Sequence, residues 1–252
     1  MPLPRFFVDR SLRVGTDTAL PAGAARHVQV LRLQPGASIK LFDGNGGECA
    51  ARVLQIGRSE VRVQIGDRIE VDRELPFEVT LALGMPANER MDALVEKATE
   101  LGAAAIQPLV CARSVLRLAG ERADKRLAHW RAVAVSACEQ SGRTRVPLLH
   151  PVRLLVEWLA ELPVPRHDEP LPQRWLLSLS SETGAGFEVM PPAATLCLSG
   201  PEGGLDADEE ALALAHGFRR LSLGPRVLRA DTAPLALLAG LAWQARRSAV
   251  AP

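Results

Sequence analysis

The hydrophobic pattern changes period near Val71-Asp72-Arg73-Glu74-Leu75-Pro76, and that change divides the 252-residue chain. Before it lie short segments rich in Val, Ile and Leu, at Ser38–Phe42, 50–56 and 61–65. Val61-Arg62-Val63-Gln64-Ile65 alternates apolar and polar residues with period two, as a half-buried strand does. Asp43-Gly44-Asn45-Gly46-Gly47 predicts a hairpin turn, because Gly and Asn supply positive φ. After the proline, strand and helix patterns alternate. Val79–Gly84 and Ala105–Val110 read as strands. Between them Met91, Leu94, Val95, Ala98 and Leu101 recur at helical spacing, with Asn88 as the expected cap and Gly102 as the stop.

Residues 122–141 read as a second helix, and 163–173 as a proline-rich exposed loop. Strands are predicted at 175–179, Thr195–Ser199 and 220–223. Asp206 and Glu209 have capping-box spacing, Gly217 ends that helix, and a last helix starts near Pro234. The expected fold class is α/β: a mostly parallel sheet with helices on both faces over residues 77–252, preceded by a small β-barrel over 1–72.

Composition excludes several functions. The cysteines Cys49, Cys111, Cys138 and Cys197 are far apart and the histidines are scattered, so no metal site or disulfide framework is expected. No apolar run reaches the roughly 20 residues of a membrane span, and Met1-Pro2-Leu3-Pro4-Arg5 lacks a signal pattern. A cytosolic, membrane-free protein is expected. Net charge is only +1, yet nearly all basic residues are arginine. Arg5, Arg26 and Arg32 belong to a basic N-terminal region that reads either as an RNA-docking surface or as an ordinary solvated one.

Two loops at predicted strand ends carry unusual chemistry. The first is Leu198-Ser199-Gly200-Pro201-Glu202-Gly203-Gly204. The second is Leu223-Gly224-Pro225-Arg226-Val227-Leu228-Arg229-Ala230-Asp231-Thr232-Ala233. Glycines let a backbone approach a ligand closely, and open α/β sheets bind ligands beyond strand carboxyl ends. Ordinary turn chemistry would also place Gly-Pro and Gly-Gly here. Neither loop has the lysine of a P-loop or the Gly-x-Gly-x-x-Gly of a dinucleotide site.

In this order the two loops resemble the RsmE family, the bacterial ribosomal RNA small-subunit (uracil-N3) methyltransferases of the SPOUT superfamily. Further motifs support the resemblance over nearly the whole chain. Pro4-Arg5-Phe6-Phe7, His27 through Val30-Leu31-Arg32, and Leu41-Phe42-Asp43-Gly44 are similar to the family's PUA-like domain. Glu96-Lys97-Ala98-Thr99-Glu100-Leu101-Gly102, Arg113-Ser114, and Glu139-Gln140-Ser141 with Arg143 are similar to its later signatures. Asp231 stands where the family usually has Glu, and the first cofactor loop, near Ser178 and Leu179, matches mainly by position.

The resemblance implies a C-terminal trefoil knot, which ordinary topology rules would exclude, and a homodimer. It implies S-adenosylmethionine held by Leu179, Ser199, Gly200, Glu202, Gly203, Gly204, Leu223, Gly224, Val227, Leu228, Thr232 and Ala233. It implies 16S ribosomal RNA of the small subunit as partner, with Arg5, Arg26, Arg32, Arg113, Arg143 and Arg226 as RNA-binding candidates. Arg229 is the catalytic candidate, stabilising charge on the uracil oxygens as N3 loses its proton to Glu202 or water. An ion pair between Arg229 and Asp231 is the structural alternative. Lys97 and Glu100, three apart on one helix, read as a surface pair that the motif raises to interface or RNA-binding candidates. Competing functions are a SPOUT methyltransferase acting on another RNA base and a non-catalytic RNA-binding assembly factor.

Overall fold

The computed structural model describes residues 3–87, 89–163, 172–178, 185–186 and 193–250. In chain order the elements are β1 (Arg5–Phe7), β2 (Asp17–Ala19), α1 (Ala22–Val30), β3 (Ser38–Phe42), β4 (Glu48–Ile56) and β5 (Val61–Ile69). Then follow β6 (Val79–Gly84), α2 (Glu89–Glu100), β7 (Ala105–Val110), α3 (Gly120–Ser141), β8 (Leu148–Leu149), β9 (Arg153–Leu154) and α4 (Leu155–Ala160). The last are β10 (Gln173–Leu177), β11 (Ala185–Gly186), β12 (Thr195–Ser199), α5 (Ala207–Ala215), β13 (Arg219–Ser222) and α6 (Thr232–Val250). The chain forms two compact units, one of Met1–Glu74 with Val135–Val146, the other of Leu75–Ala134 with Pro147–Pro252.

Among the described residues the first unit holds a five-stranded sheet in the order β1-β3-β4-β5-β2. β1 runs parallel to β3, and the other pairs are antiparallel. The period-two pattern does what it should: Val61, Val63 and Ile65 are buried while Arg62 and Gln64 are exposed. Gly44, Gly46 and Gly47 turn the chain between β3 and β4 with φ of +85°, +95° and +69°. Phe6, Ile39, Leu41, Val53 and Val63 form the core with Ala24, Ala25 and Val28 of α1. No local pattern in the sequence announces α1, β1 or β2. The nine-residue α1 buries only two alanines and one valine, too small an apolar stripe to stand out.

The end of α3 belongs to this unit. Arg5 donates from Nη1 to the Cys138 carbonyl at 2.6 Å and from Nη2 to the Arg143 carbonyl at 3.0 Å. It thereby binds carbonyls at and just beyond the helix end, the Glu139 carbonyl at 3.3 Å included, where a helix leaves acceptors open. Its Nε donates to Glu48 at 3.1 Å, which also pairs with Lys40.

In the second unit the sheet order among the described residues is β11-β13-β10-β12-β6-β7-β8, with β9 also on β7. Every pair is parallel. Central strands are buried on both faces: every residue of β7 and β12 is buried, as a helix-covered parallel sheet requires. α4 packs with α5 and α2 with α6. Trp158, Leu159, Leu176, Leu198 and Phe218 lie in one core cluster of the unit. Asp206 and Glu209 form the expected reciprocal cap, Glu209 N–H to Asp206 Oδ1 at 2.8 Å and Asp206 N–H to Glu209 Oε2 at 3.1 Å. Gly102 and Gly217 stop their helices with φ of +100° and +81°. The last helix begins two residues before Pro234. The proposed cap Asn88 lies outside the described residues.

Candidate active site

A cavity of about 580 Å³ opens beyond the carboxyl ends of β10, β12 and β13. Ser178, Ser199 and Leu221 mark those strand ends in its wall. That is where open α/β sheets bind ligands, and the volume falls within the roughly 300–1,000 Å³ of small-molecule pockets.

The loop after β12 forms one wall, with Gly200, Glu202, Gly203 and Gly204 lining the cavity. The Gly204 N–H donates to the Pro201 carbonyl at 2.8 Å, closing a tight turn. A Cβ on Gly200 would stand 2.8 Å from the Leu205 nitrogen. A Cβ on Gly203 would stand 3.1 Å from the Arg113 Cβ. Loop closure at Gly200 and the Arg113 stem at Gly203, and not only ligand approach, therefore favour glycine here. Under the loop lies Gly84, the last residue of β6. A Cβ there would meet the Pro201 Cδ at 2.5 Å.

The loop after β13 forms the facing wall. Leu223, Gly224, Arg226, Val227, Leu228, Arg229 and Ala233 all line the cavity. Gly224 has φ of +110°. The Arg229 carbonyl accepts the N–H groups of Thr232 at 2.9 Å and Ala233 at 3.0 Å, the first turn of α6. The helix start thus fixes the backbone that presents Arg229. Thr232 itself is outside the lining, and Leu179 is outside the described residues.

The charged groups of the cavity are four arginines, Arg90, Arg113, Arg226 and Arg229, and two carboxylates, Glu202 and Glu210. Glu202 Oε1 accepts the Ala87 N–H at 2.9 Å and faces Arg90 Nη1 at 3.5 Å. Arg113 Nη1 donates to the carbonyls of Gly203 at 3.0 Å and Leu205 at 3.2 Å. Glu210 lies 3.3 Å from Arg220 and 3.4 Å from the Ser178 hydroxyl. Arg229 is exposed and, among the described residues, makes no ion pair with Asp231. Asp231 Oδ1 is buried without a hydrogen-bond partner.

The other expected RNA contacts divide by burial. Arg26 lies exposed on α1 and Arg32 exposed just beyond it. Arg5 and Arg143 are turned inward: Arg143 is 4 % exposed and pairs with Glu74, and Arg5 is spent on Glu48 and the end of α3. Burial and pairing remove both from the set expected to hold RNA phosphates. Lys97 reaches Glu96 and Glu100, each at 2.7 Å, the surface pair its spacing predicts. Gly84, Arg90 and Glu210 were missed. Gly84 reads only as a strand end, and Arg90 and Glu210 carry no motif in the sequence.

All four cysteines are buried and free. Burial pushes the Cys111 and Cys138 thiols up to about 12. Among the described residues no group of His, Cys, Asp and Glu could hold a metal ion. No helix among them is long and apolar enough to cross a membrane.

Residues 73–242 match the family model of an RNA methyltransferase domain, and residues 20–66 match that of an RNA methyltransferase PUA domain. Fold, cavity and these matches define the class: an RNA methyltransferase carrying a PUA domain. Three relatives narrow it. A ribosomal RNA small subunit methyltransferase E from Bacillus subtilis (strain 168) is 31% identical over 224 residues, 86% of each chain. One from Mycobacterium tuberculosis (strain CDC 1551 / Oshkosh) is 33% identical over 237 residues, 90% of this chain and 87% of that one. The crystal structure of a ribosomal RNA small subunit methyltransferase E from Neisseria gonorrhoeae, bound to S-adenosyl methionine, aligns with a TM-score of 0.88 at 37% identity, covering 95% of this chain and 97% of that chain. The chain belongs to the ribosomal RNA small subunit methyltransferase E family.

Proposed function

We propose that this protein transfers a methyl group from S-adenosylmethionine to N3 of a uridine in 16S ribosomal RNA. The observation that carries the reading is the convergence of both glycine-bearing loops and Arg229 on one cavity, in a chain of this family. The cavity suits the cofactor in kind. Its walls are mostly residues of the two loops, with the Gly204 N–H and the Arg229 carbonyl held by tight turns. Ser199, Gly200, Glu202, Gly203 and Gly204 would hold the cofactor from one side, and Leu223, Gly224, Val227, Leu228 and Ala233 from the other. Leu179 and Thr232 complete the proposed set. When bound, the cofactor supplies an electrophilic methyl carbon.

The protein's own task is alignment and charge stabilisation. Uracil N3 must lose its proton, and the negative charge spreads onto O2 and O4. Arg229 offers forked N–H donors to that charge. Being always protonated, it does not take the proton. Glu202 at the rim, or water, accepts it. A paired uridine hides N3, so the target is unpaired or flipped.

Arg26, Arg32 and Arg226 are the proposed RNA contacts, and the assembled small subunit is the proposed context. A homodimer is part of the proposal. Val227 and Trp243 are apolar and largely exposed, surface that a second copy would cover. So is a knotted C-terminal segment, as the SPOUT resemblance implies, and a cytoplasmic location. The deciding experiment maps N3-methyluridine in 16S ribosomal RNA from cells with and without the gene. Loss of one modified position is expected, restored by the wild-type gene. An unchanged map would overturn the proposal.

A further inference from the structure

We propose that Arg113 is a positioning residue for the cofactor loop: it fixes the peptide groups of Gly203 and Gly204 and does not serve as an RNA phosphate contact. The inference rests on the reading of the cavity as the S-adenosylmethionine site.

Arg113 stands in a rigid turn after β7. The Ser114 hydroxyl accepts the Cys111 N–H at 2.9 Å, and the Ser114 N–H donates to the Cys111 carbonyl at 3.0 Å. Ser114 is buried. Two links leave this turn, one for the loop that follows β12 and one for the first turn of α5. Arg113 Nη1 bridges the carbonyls of Gly203 and Leu205, at 3.0 and 3.2 Å. The neighbouring Ala112 N–H donates to Glu209 Oε1 at 2.7 Å, while Glu209 Oε2 accepts the Asp206 N–H. The span from Gly203 to Glu209 is therefore held at both ends by one turn.

The clamp acts on peptide orientation. A Gly-Gly peptide has little steric preference and can turn over cheaply. The Gly203 carbonyl and the Gly204 N–H share one planar unit. Arg113 fixes the carbonyl, so the N–H is fixed too, on the Pro201 carbonyl at 2.8 Å. Guanidinium–carbonyl bonds are charge-assisted and stronger than neutral ones. The stem of Arg113 also lies against Gly203, where a Cβ would have only 3.1 Å. A loop that reads a ligand with backbone groups needs this constraint. An arginine reserved for RNA phosphate would not direct one nitrogen at two carbonyls of its own chain.

The test measures S-adenosylmethionine binding to the full chain by calorimetry without RNA, for wild type, Arg113→Ala and Arg113→Lys. The alanine variant is expected to bind about tenfold more weakly, a change of about 1.4 kcal/mol. Lysine, a point charge without the fork, should restore part of the affinity. In steady-state assays the KM for the cofactor should rise more than kcat falls, and the KM for RNA should hold. A purely structural defect would instead lower the melting temperature and the active fraction without moving KM. Arg113→Gln, which keeps the stem over Gly203, decides the matter if the alanine variant unfolds. Unchanged cofactor affinity together with weaker, less salt-dependent RNA binding would overturn the proposal. Wild-type protein that fails to bind S-adenosylmethionine would sink the reading of the cavity, a distinct outcome.

Discussion

Gly84 lies so close beneath Pro201 that a Cβ at position 84 would stand 2.5 Å from the proline Cδ and 2.6 Å from its nitrogen. The end of β6 is thus the floor on which the first site loop rests. Both atoms belong to a ring and a backbone that cannot swing away. Gly84→Ala is therefore expected to push the loop off its seat, at an overpacking cost of about 1–3 kcal/mol. Thermal melts should show the loss, and calorimetry should show weakened S-adenosylmethionine binding. Wild-type affinity in a stably folded variant would mean that the loop can shift without harm to the site.

Arg229, like Arg226 and unlike Arg90 and Arg113, lines the cavity with a guanidinium that nothing among the described residues occupies. Arg229→Ala should leave the fold within about 0.5 kcal/mol, as exposed substitutions usually do. Removing one charge-stabilising donor typically costs about 10²–10³ in kcat. That loss is expected here, with cofactor affinity retained. Single-turnover assays on 16S ribosomal RNA or small subunits would measure it. Transfer at the wild-type rate would deny Arg229 a catalytic role.

The elements with strong periodicity were legible before the structure: β3, β6, β7 and β12 have the bounds or near-bounds that the residues predict. The two site loops were legible too, because glycine beside proline at a strand end is conspicuous. What the residues concealed was the reason for the glycines. Gly200 serves the loop's own backbone and Gly203 makes room for Arg113, distant in sequence. Contacts of that kind depend on which strand ends become neighbours, and no local pattern encodes it. The return of Val135–Val146 to the first unit was hidden for the same reason. Those residues continue an ordinary helix, and only groups far upstream, Arg5, Phe7 and His27 among them, reveal what the helix end is tied to. Arg5 and Arg143 also show why residue type misleads. An arginine suited to phosphate is equally suited to carbonyls and carboxylates inside a fold.

Glu48 makes a testable pH dependence. It is buried and accepts from Arg5 and Lys40, with Arg73 at 3.9 Å. Burial raises its pKa, but those two hydrogen bonds and their charges outweigh it and hold the carboxyl below its ordinary 4.5. A depressed carboxylate stabilises the fold above the ordinary value, and the contribution is lost as pH falls through the folded value. Wild-type stability should therefore drop below pH 4.5. Glu139 behaves oppositely. Burial pushes it up despite the Phe7 N–H and His27, so its contribution fades as pH rises, in a separate window. Glu48→Gln should cost up to about 3 kcal/mol near neutrality by taking the shared counter-charge from the part-buried Arg5 and Lys40. It should also flatten the acid limb. Denaturant titrations at several pH values measure both, and an acid limb as steep as wild type would show that another carboxylate controls it.

Arg32 occupies the position where a helix end usually has glycine. It follows the C-cap of α1 with φ of +53°, and Leu33 N–H reaches back to the Val28 carbonyl, the arrangement of a glycine-terminated helix. A side chain in this left-handed region costs about 1–2 kcal/mol. Part of that is offset by the attraction of a cation to the helix C-terminus. Arg32 is exposed, and no ion pair among the described residues accounts for it. The expectation is that the side chain is kept for RNA. Arg32→Gly relieves the backbone, so stability should hold or rise by up to about 1 kcal/mol. RNA affinity should fall, and the slope of log affinity against log salt should shrink by about the share of one phosphate contact. Arg32→Gln, which removes the charge but keeps the strain, should lose the same RNA affinity without the gain in stability. Binding curves at several salt concentrations and parallel thermal melts separate the two effects. Undiminished RNA binding in both variants would show that the strained arginine serves the fold alone.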